Sequence, residues 1–259
     1  MWRDQYAFVG DDGTVMLLGL QRHSAGTAQA KGWLARGGVW DQTFFQEFPI
    51  RGRDASKASA VLSTWAGGAL PAARVGYERD GDRVEIRLRL PSQEVGLRGL
   101  GMASLGTFRD PEGESSYRVG RAQLWTPDQV WNGWLVVEET PADDPRLPFV
   151  DFGDFAFVVL ASPDAGTVVV KRSRHRPEFN RALSSRGDVV REARDVSVEL
   201  AGDQLTVKIP SWDLDVSALV RDRDVSRGTA PGERPVGYET LLLGGDYAGI
   251  AVLIRPDPR

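Results

Sequence analysis

The sequence predicts an all-β protein built as two tandem antiparallel β-barrels from an internal duplication. Three observations predict it. The chain repeats itself, its apolar residues alternate with polar ones at period two, and turn signals separate the alternating segments.

The repeat comes in three blocks kept in order. Tyr6-Ala7-Phe8-Val9, Asp12-Gly13-Thr14-Val15 and Arg22-His23 return as Phe155-Ala156-Phe157-Val158, Ala165-Gly166-Thr167-Val168 and Arg174-His175. Gly81-Asp82-Arg83-Val84 running to Leu90-Pro91-Ser92 returns as Gly202-Asp203-Gln204-Leu205 running to Ile209-Pro210-Ser211. Pro111 to Gly120 is matched by Pro231 to Gly237, and each leads to a closing apolar strand, Gly133 to Val137 and Gly249 to Leu253. The copies therefore divide as an N-terminal barrel over 1–140, a linker over 141–149 and a C-terminal barrel over 150–259. In the linker, Pro141, Pro145 and Pro148 remove backbone donors, and with Asp143 and Asp144 they disfavour helix and interior strand. The first copy carries an insertion between its first and second blocks. There Ser56 is an N-cap candidate, helix formers follow to Trp65, and Gly67-Gly68 stops the run, which predicts a short helix near 56–66.

Within the copies, Val84, Ile86, Leu88 and Leu90 alternate with Glu85, Arg87 and Arg89. Leu205, Val207 and Ile209 alternate with Thr206 and Lys208. Such alternation puts one face on a core and the other in water. Gly10-Asp11-Asp12-Gly13, Asp80-Gly81-Asp82, Ser162-Pro163-Asp164-Ala165-Gly166 and Ala201-Gly202-Asp203 supply the turns.

The composition excludes several classes. With 259 residues, 41% hydrophobic and 26% charged, the chain can bury a substantial core and is not a disordered segment. A net charge of −4 gives no field that gathers nucleic acid or an anionic membrane. There is no cysteine, so disulfides, thiolate metal sites and cysteine nucleophiles are excluded. The two histidines, His23 and His175, are too few for a histidine-rich metal centre. Met1 to Gln5 lacks a basic stretch followed by an apolar run, and no segment reaches the roughly 18 apolar residues that span a bilayer. A soluble, cytoplasmic protein without nucleic-acid partners is expected, and its oligomeric state stays open.

Certain side chains carry the candidate chemistry. Trp125, Trp131 and Trp134 cluster at the end of the first copy, and with Trp33 and Trp40 they offer surface for an apolar ligand; the cluster at the end of the first copy equally suits core packing that plugs a barrel end or seals the junction between the copies. Trp131 and Trp134 stand three apart, so on a regular strand they face opposite sides. Asp151 and Asp154 flank Phe152 where the second copy opens; a carboxyl beside aromatic surface is a candidate general acid, and a pair of loop aspartates also suits the capping of a turn. Glu138 and Glu139 follow a strand end and are expected in water. Arg22-His23 and Arg174-His175-Arg176 recur at matching places, which makes His175 a candidate ligand contact or a retained strand end. Gly96-Leu97-Arg98-Gly99-Leu100-Gly101 has the wrong glycine order for a dinucleotide loop.

The hairpin Phe155-Ala156-Phe157-Val158, Asp164-Ala165-Gly166-Thr167-Val168 and Arg172, following an acidic and aromatic junction, resembles one known group. This is the tandem lipocalin-like (calycin) superfamily of carotenoid 1,2-hydratase, hydroxyneurosporene synthase-like or AttH-like proteins, which includes lipocalin-like Diels–Alderases. The second barrel of that group opens with an Asp-x-Glu-Trp-Gly-like stretch. Here the region reads Val150-Asp151-Phe152-Gly153-Asp154-Phe155, with aspartates but without that Glu and Trp. The resemblance implies a hydrophobic ligand, often isoprenoid or polyketide, and chemistry that needs no metal or organic cofactor. Three readings follow: a cofactor-independent cyclase, isomerase or hydratase; a carrier with the same pocket; or a carbohydrate-active or carbohydrate-binding protein using its tryptophans with Glu47 and Glu138. An inward-facing acid in an otherwise apolar barrel would favour the enzyme over the carrier.

Overall fold

The computed structural model describes residues 2–22, 27–51, 57–62, 73–80, 82–89, 94–110, 113–141, 155–162, 166–175, 177–186, 189–230 and 234–256, some of the strand residues by backbone alone. Apart from two single turns of 3-10 helix at Pro177–Phe179 and Pro210–Trp212, its regular elements are strands. Among the described residues no helix is long and apolar enough to cross a membrane.

The first sheet contains β1 (Trp2–Gly10), β2 (Val15–Arg22), β3 (Thr27–Arg36), β4 (Val39–Arg51), β5 (Lys57–Leu62) and β6 (Ala73–Asp80). It continues through β7 (Arg83–Arg89), β8 (Glu94–Gly99), β9 (Ala103–Asp110), β10 (Gly113–Trp125) and β11 (Val130–Pro141). Neighbours pair antiparallel from β1 to β8. β10 pairs with β8 and β9 along one edge and with β11 along the other, and β11 returns to β1. The ring is therefore closed.

β5 corrects the expected helix near 56–66. Lys57–Leu62 pairs with β6 along its length and with β4 through Ile50 and Arg51. A helix of so few residues gains little from local propensity alone. Here the segment instead fills the gap between β4 and β6, where backbone groups of both neighbours accept it.

The second sheet holds β12 (Phe155–Ser162), β13 (Gly166–Ser173), β14 (Arg181–Arg186), β15 (Val189–Ala193), β16 (Ser197–Ala201), β17 (Gln204–Ile209), β18 (Leu214–Ala230), β19 (Arg234–Gly244) and β20 (Ala248–Pro256). Its order, β15-β14-β13-β12-β20-β19-β18-β17-β16, repeats that of the first sheet. The matched segments lie at equivalent places: β7 sits between β6 and β8, and β17 between β16 and β18. β18 covers the places of both β8 and β9, bending at a bulge between Val220 and Asp222. Among the described residues nothing stands where β5 would be, so this sheet curls without closing.

The cross-strand pairing shifts the sequence match by one residue. Val9 pairs with Trp134, and Val159 with Ile250. A Cβ added to Gly133 would strike the Val9 carbonyl oxygen, and one added to Gly249 the Val159 carbonyl oxygen. Val9 thus corresponds to Val159, not to Val158. One residue of slip exchanges the two faces of a strand. Accordingly Ala7 lies between the sheets while Ala156 lies in the core of the second.

Three apolar clusters follow from the alternation. Tyr6, Phe8, Met16, Leu18, Leu97, Trp131 and Leu135 are among those filling the first barrel. Val158, Leu160, Val170, Leu205, Leu241 and Leu253 lie in the concave face of the second sheet. Between them, Val9, Leu17, Val119 and Val136 meet Phe157, Val159, Leu242 and Ile250. β1, β11 and β12 are therefore buried on both faces, which explains their nearly continuous apolar runs.

Charge on the outer face of β7 is also organised. Glu85 is buried and accepts from Arg83 (2.6 Å), Arg87 (2.9 Å) and Arg98 (3.2 Å). Burial alone would raise its pKa, but these three guanidinium bonds outweigh it and hold the carboxyl at about 2. A depressed carboxylate pKa contributes stability above the unfolded value and loses it as pH falls through the folded one. Acid titration followed by circular dichroism is expected to show wild-type stability falling between about pH 4.5 and pH 2. Glu85→Gln should flatten that part of the curve, and an unchanged curve would remove Glu85 from the account.

Candidate active site

The structure turns two carboxyls inward at one end of the first barrel. Along β1, Asp4 is in phase with Tyr6 and Phe8; along β11, Glu139 is in phase with Val137 and Leu135. The strands are antiparallel neighbours, and Asp4 and Glu139 are direct cross-strand partners. Both are buried, at 6% and 5% exposure. Like charges placed directly opposite repel, so this pair needs hydrogen bonds and a counter-charge to persist. The Tyr6 hydroxyl donates to Asp4 Oδ2 at 3.0 Å. From β10, Ser116 Oγ donates to Glu139 Oε2 at 3.4 Å, and Arg118 Nη1 lies 3.8 Å from Glu139 Oε1.

The core cluster on the same face, with Phe8, Leu18, Leu97 and Leu135, is apolar. Asp4, Tyr6, Ser116, Arg118 and Glu139 therefore form a polar group at the end of a hydrophobic barrel. A carboxyl there can take or give a proton, a tyrosine hydroxyl can orient it, and a guanidinium can balance charge. The second copy does not repeat the pair. In its register Arg255, which is exposed, takes the place of Glu139.

A second polar group lies on the opposite face of β11, between the sheets. Glu138 Oε1 accepts from Lys171 Nζ at 2.5 Å, and Lys171 Nζ stands 5.5 Å from the centre of the Tyr117 ring. Their exposures are 2%, 6% and 0%. Burial first, and then the Glu138 charge, push the Tyr117 hydroxyl pKa well above the ordinary tyrosine value. The expectation that Glu138 and Glu139 are solvated is corrected. β11 has no solvent face at this point, since one side faces a barrel interior and the other a second sheet.

The predicted site residues part company. Trp131 is in the first barrel core at 4% exposure. Trp134 faces the other way, packing against the inter-sheet cluster with the Arg121 guanidinium 5.2 Å from its ring centre. Trp125 lies on the outer face over Gly96, where any Cβ would strike the indole, and Arg98 stands 5.7 Å from its ring centre. The glycine run therefore serves packing: Gly96 admits Trp125, and Gly99 faces Met102. Trp33 lies in β3 opposite Leu17 and Trp40 in β4 opposite Ala35, and their side chains are outside the described residues. His175 is exposed in the bend after β13. Asp151 and Asp154 fall outside the described residues.

Two curled antiparallel sheets in tandem, packed through their convex faces and repeating one strand order, form a tandem lipocalin-like fold. No protein-family model and no curated protein sequence matches the chain. Solved structures do. Kievitone hydratase from Nectria haematococca matches with a TM-score of 0.58 at 8% identity, over 99% of this chain and 88% of that one. An AttH candidate from Nitrosomonas europaea matches with a TM-score of 0.51 at 11% identity, over 98% of this chain and 91% of that one. These likenesses establish the fold.

Proposed function

We propose that the protein binds a hydrophobic small molecule and acts on it by acid–base chemistry in the first barrel, as a hydratase or isomerase that needs no cofactor. The observation that carries this reading is the pair of inward-facing carboxyls, Asp4 and Glu139, on the same face as the apolar core cluster of the first barrel. A carrier has no use for two repelling buried acids. In a dehydration, Asp4, oriented by Tyr6, takes the proton from a carbon beside the one bearing a hydroxyl. The C–O bond breaks as Glu139 hands a proton to the departing oxygen, and water leaves. Hydration is the reverse; in an isomerisation Asp4 takes the proton from one carbon while Glu139 gives its own proton to another, and proton exchange with solvent restores both carboxyls. The fold shared with a protein named as a hydratase supports the reaction class. Asp154 and Asp151, which flank Phe152 in the sequence where the second copy opens, remain proposed acids of the second copy, to be tested as Asp154→Asn and Asp151→Asn.

The test begins with native mass spectrometry of protein isolated from its own host, to find the hydrophobic molecule that travels with it. That molecule is then incubated with the protein in deuterated water. The enzyme is expected to leave deuterium on carbon or to change the ligand mass by one water, and Asp4→Asn is expected to do neither. Ligand returned unlabelled and unchanged by the wild type would make the protein a carrier.

A further inference from the structure

We infer that the cleft between the two sheets is a binding site for a zwitterionic small molecule with an apolar body, of the class of an apolar or aromatic amino acid. The cleft has a volume of about 690 Å³, inside the range of roughly 300–1,000 Å³ usual for small-molecule sites, and such sites favour domain junctions. Val9 and Trp134 from the first copy and Ala161, Leu242 and Ala248 from the second give it an apolar floor. It is separate from the acid pair. Val9 and Asp4 face opposite sides of β1, five residues or about 17 Å apart along the strand.

The rim decides the ligand class. Asp11 is occupied by Arg121, which donates to both its oxygens at 2.9 and 2.5 Å. Asp12 caps its own hairpin, accepting from the Thr14 amide at 2.9 Å and the Thr14 hydroxyl at 3.1 Å. Two charges on the rim are left. Arg221 is the extra residue of the bulge between Val220 and Asp222, a device that re-aims a side chain. It lies across Gly244, where an added Cβ would come within 2.8 Å of its Nε. Asp246 stands on the hairpin that follows β19. Among the described residues neither Arg221 nor Asp246 forms a hydrogen bond or ion pair, with each other or with any other group.

An unpaired cation and an unpaired anion over one apolar floor fit a molecule carrying both charges. Its carboxylate takes the Arg221 fork, its ammonium takes Asp246, and its side chain lies on Trp134 and Leu242. A simple anion would face Asp246 uncompensated, and a simple cation would face Arg221.

Isothermal titration of the full chain with L-phenylalanine tests the inference, beside 3-phenylpropanoate and 2-phenylethylamine as single-charge probes. L-Phenylalanine is expected to bind saturably and at least about tenfold more tightly than either probe, because each removes one charge-assisted contact. Arg221→Ala and Asp246→Asn are each expected to weaken it about tenfold or more with unchanged melting. Both side chains are exposed, and should one variant misfold, the other still decides. Asp4→Asn is expected to leave this binding untouched, so failure here is distinct from failure of the barrel site. No saturable binding at millimolar L-phenylalanine, equal binding of a single-charge probe, or full binding by both rim variants would overturn the inference.

Discussion

Lys171→Met is expected to destabilise the protein by about 3–5 kcal/mol, because it removes the buried cation that donates to the buried Glu138 carboxylate. The pair is sealed between the sheets, with Lys171 from the second copy and Glu138 from the first, and Tyr117 closes over it. Truncating one partner removes the attraction but leaves the desolvation cost of the other. The double replacement Lys171→Met with Glu138→Leu removes both charges and is expected to recover most of the loss, as hydrophobic substitutes for buried ion pairs often do. Urea unfolding of wild type, both single variants and the double variant measures this cycle. A loss below about 1 kcal/mol in both single variants would mean that water reaches the pair and that it does not hold the sheets together.

The fold was legible because its signals are local and repeated. Alternation in Val84 to Leu90 and Leu205 to Ile209 specifies half-buried strands whatever their partners. The turn residues at Gly10 to Gly13 and Ala201 to Asp203 mark hairpins. The insertion misled because Lys57 to Leu62 has a helix-compatible composition, and what made it a strand was the gap between β4 and β6, a feature of the closed ring alone. The one-residue shift between copies has a similar origin. Similar letters, Tyr-Ala-Phe-Val and Phe-Ala-Phe-Val, align by identity, whereas the close approach at Gly133 and Gly249 sets the true register.

The candidate site was less legible. Tryptophans attracted notice by their abundance, and of the two readings open to the cluster Trp131 takes the core one, while Trp125 packs on a glycine. The acids were readable in principle. Asp4 is in phase with Tyr6 and Phe8, and Glu139 with Leu135 and Val137, so a charge in step with a core face was the signal. It was obscured because Asp4 stands near the chain start and Glu139 near a strand end, where charges usually reach water. That Asp4 and Glu139 stand opposite each other depends on the pairing of β1 with β11, which lie at the two extremes of the first copy.

Asp4→Asn is expected to lower turnover by about 10²–10⁴-fold, the usual effect of removing a general acid or base. Asparagine keeps the shape and still accepts from the Tyr6 hydroxyl, so the orientation of the site persists while its capacity to carry a proton is lost. The replacement keeps the side-chain volume and the Tyr6 bond, so melting should change little. That combination distinguishes a catalytic role from a structural one, since a merely structural acid would lose stability and activity together. Tyr6→Phe should lower turnover by less, because it leaves the carboxyl in place without its orienting bond, and the pH–rate profile should shift with it. Once the ligand is known, single-turnover rates and melting curves on the same preparations measure both quantities. Full turnover in Asp4→Asn with unchanged melting would remove the proton-transfer role from Asp4, and an equal result in Glu139→Gln would leave the barrel as a binding site without chemistry.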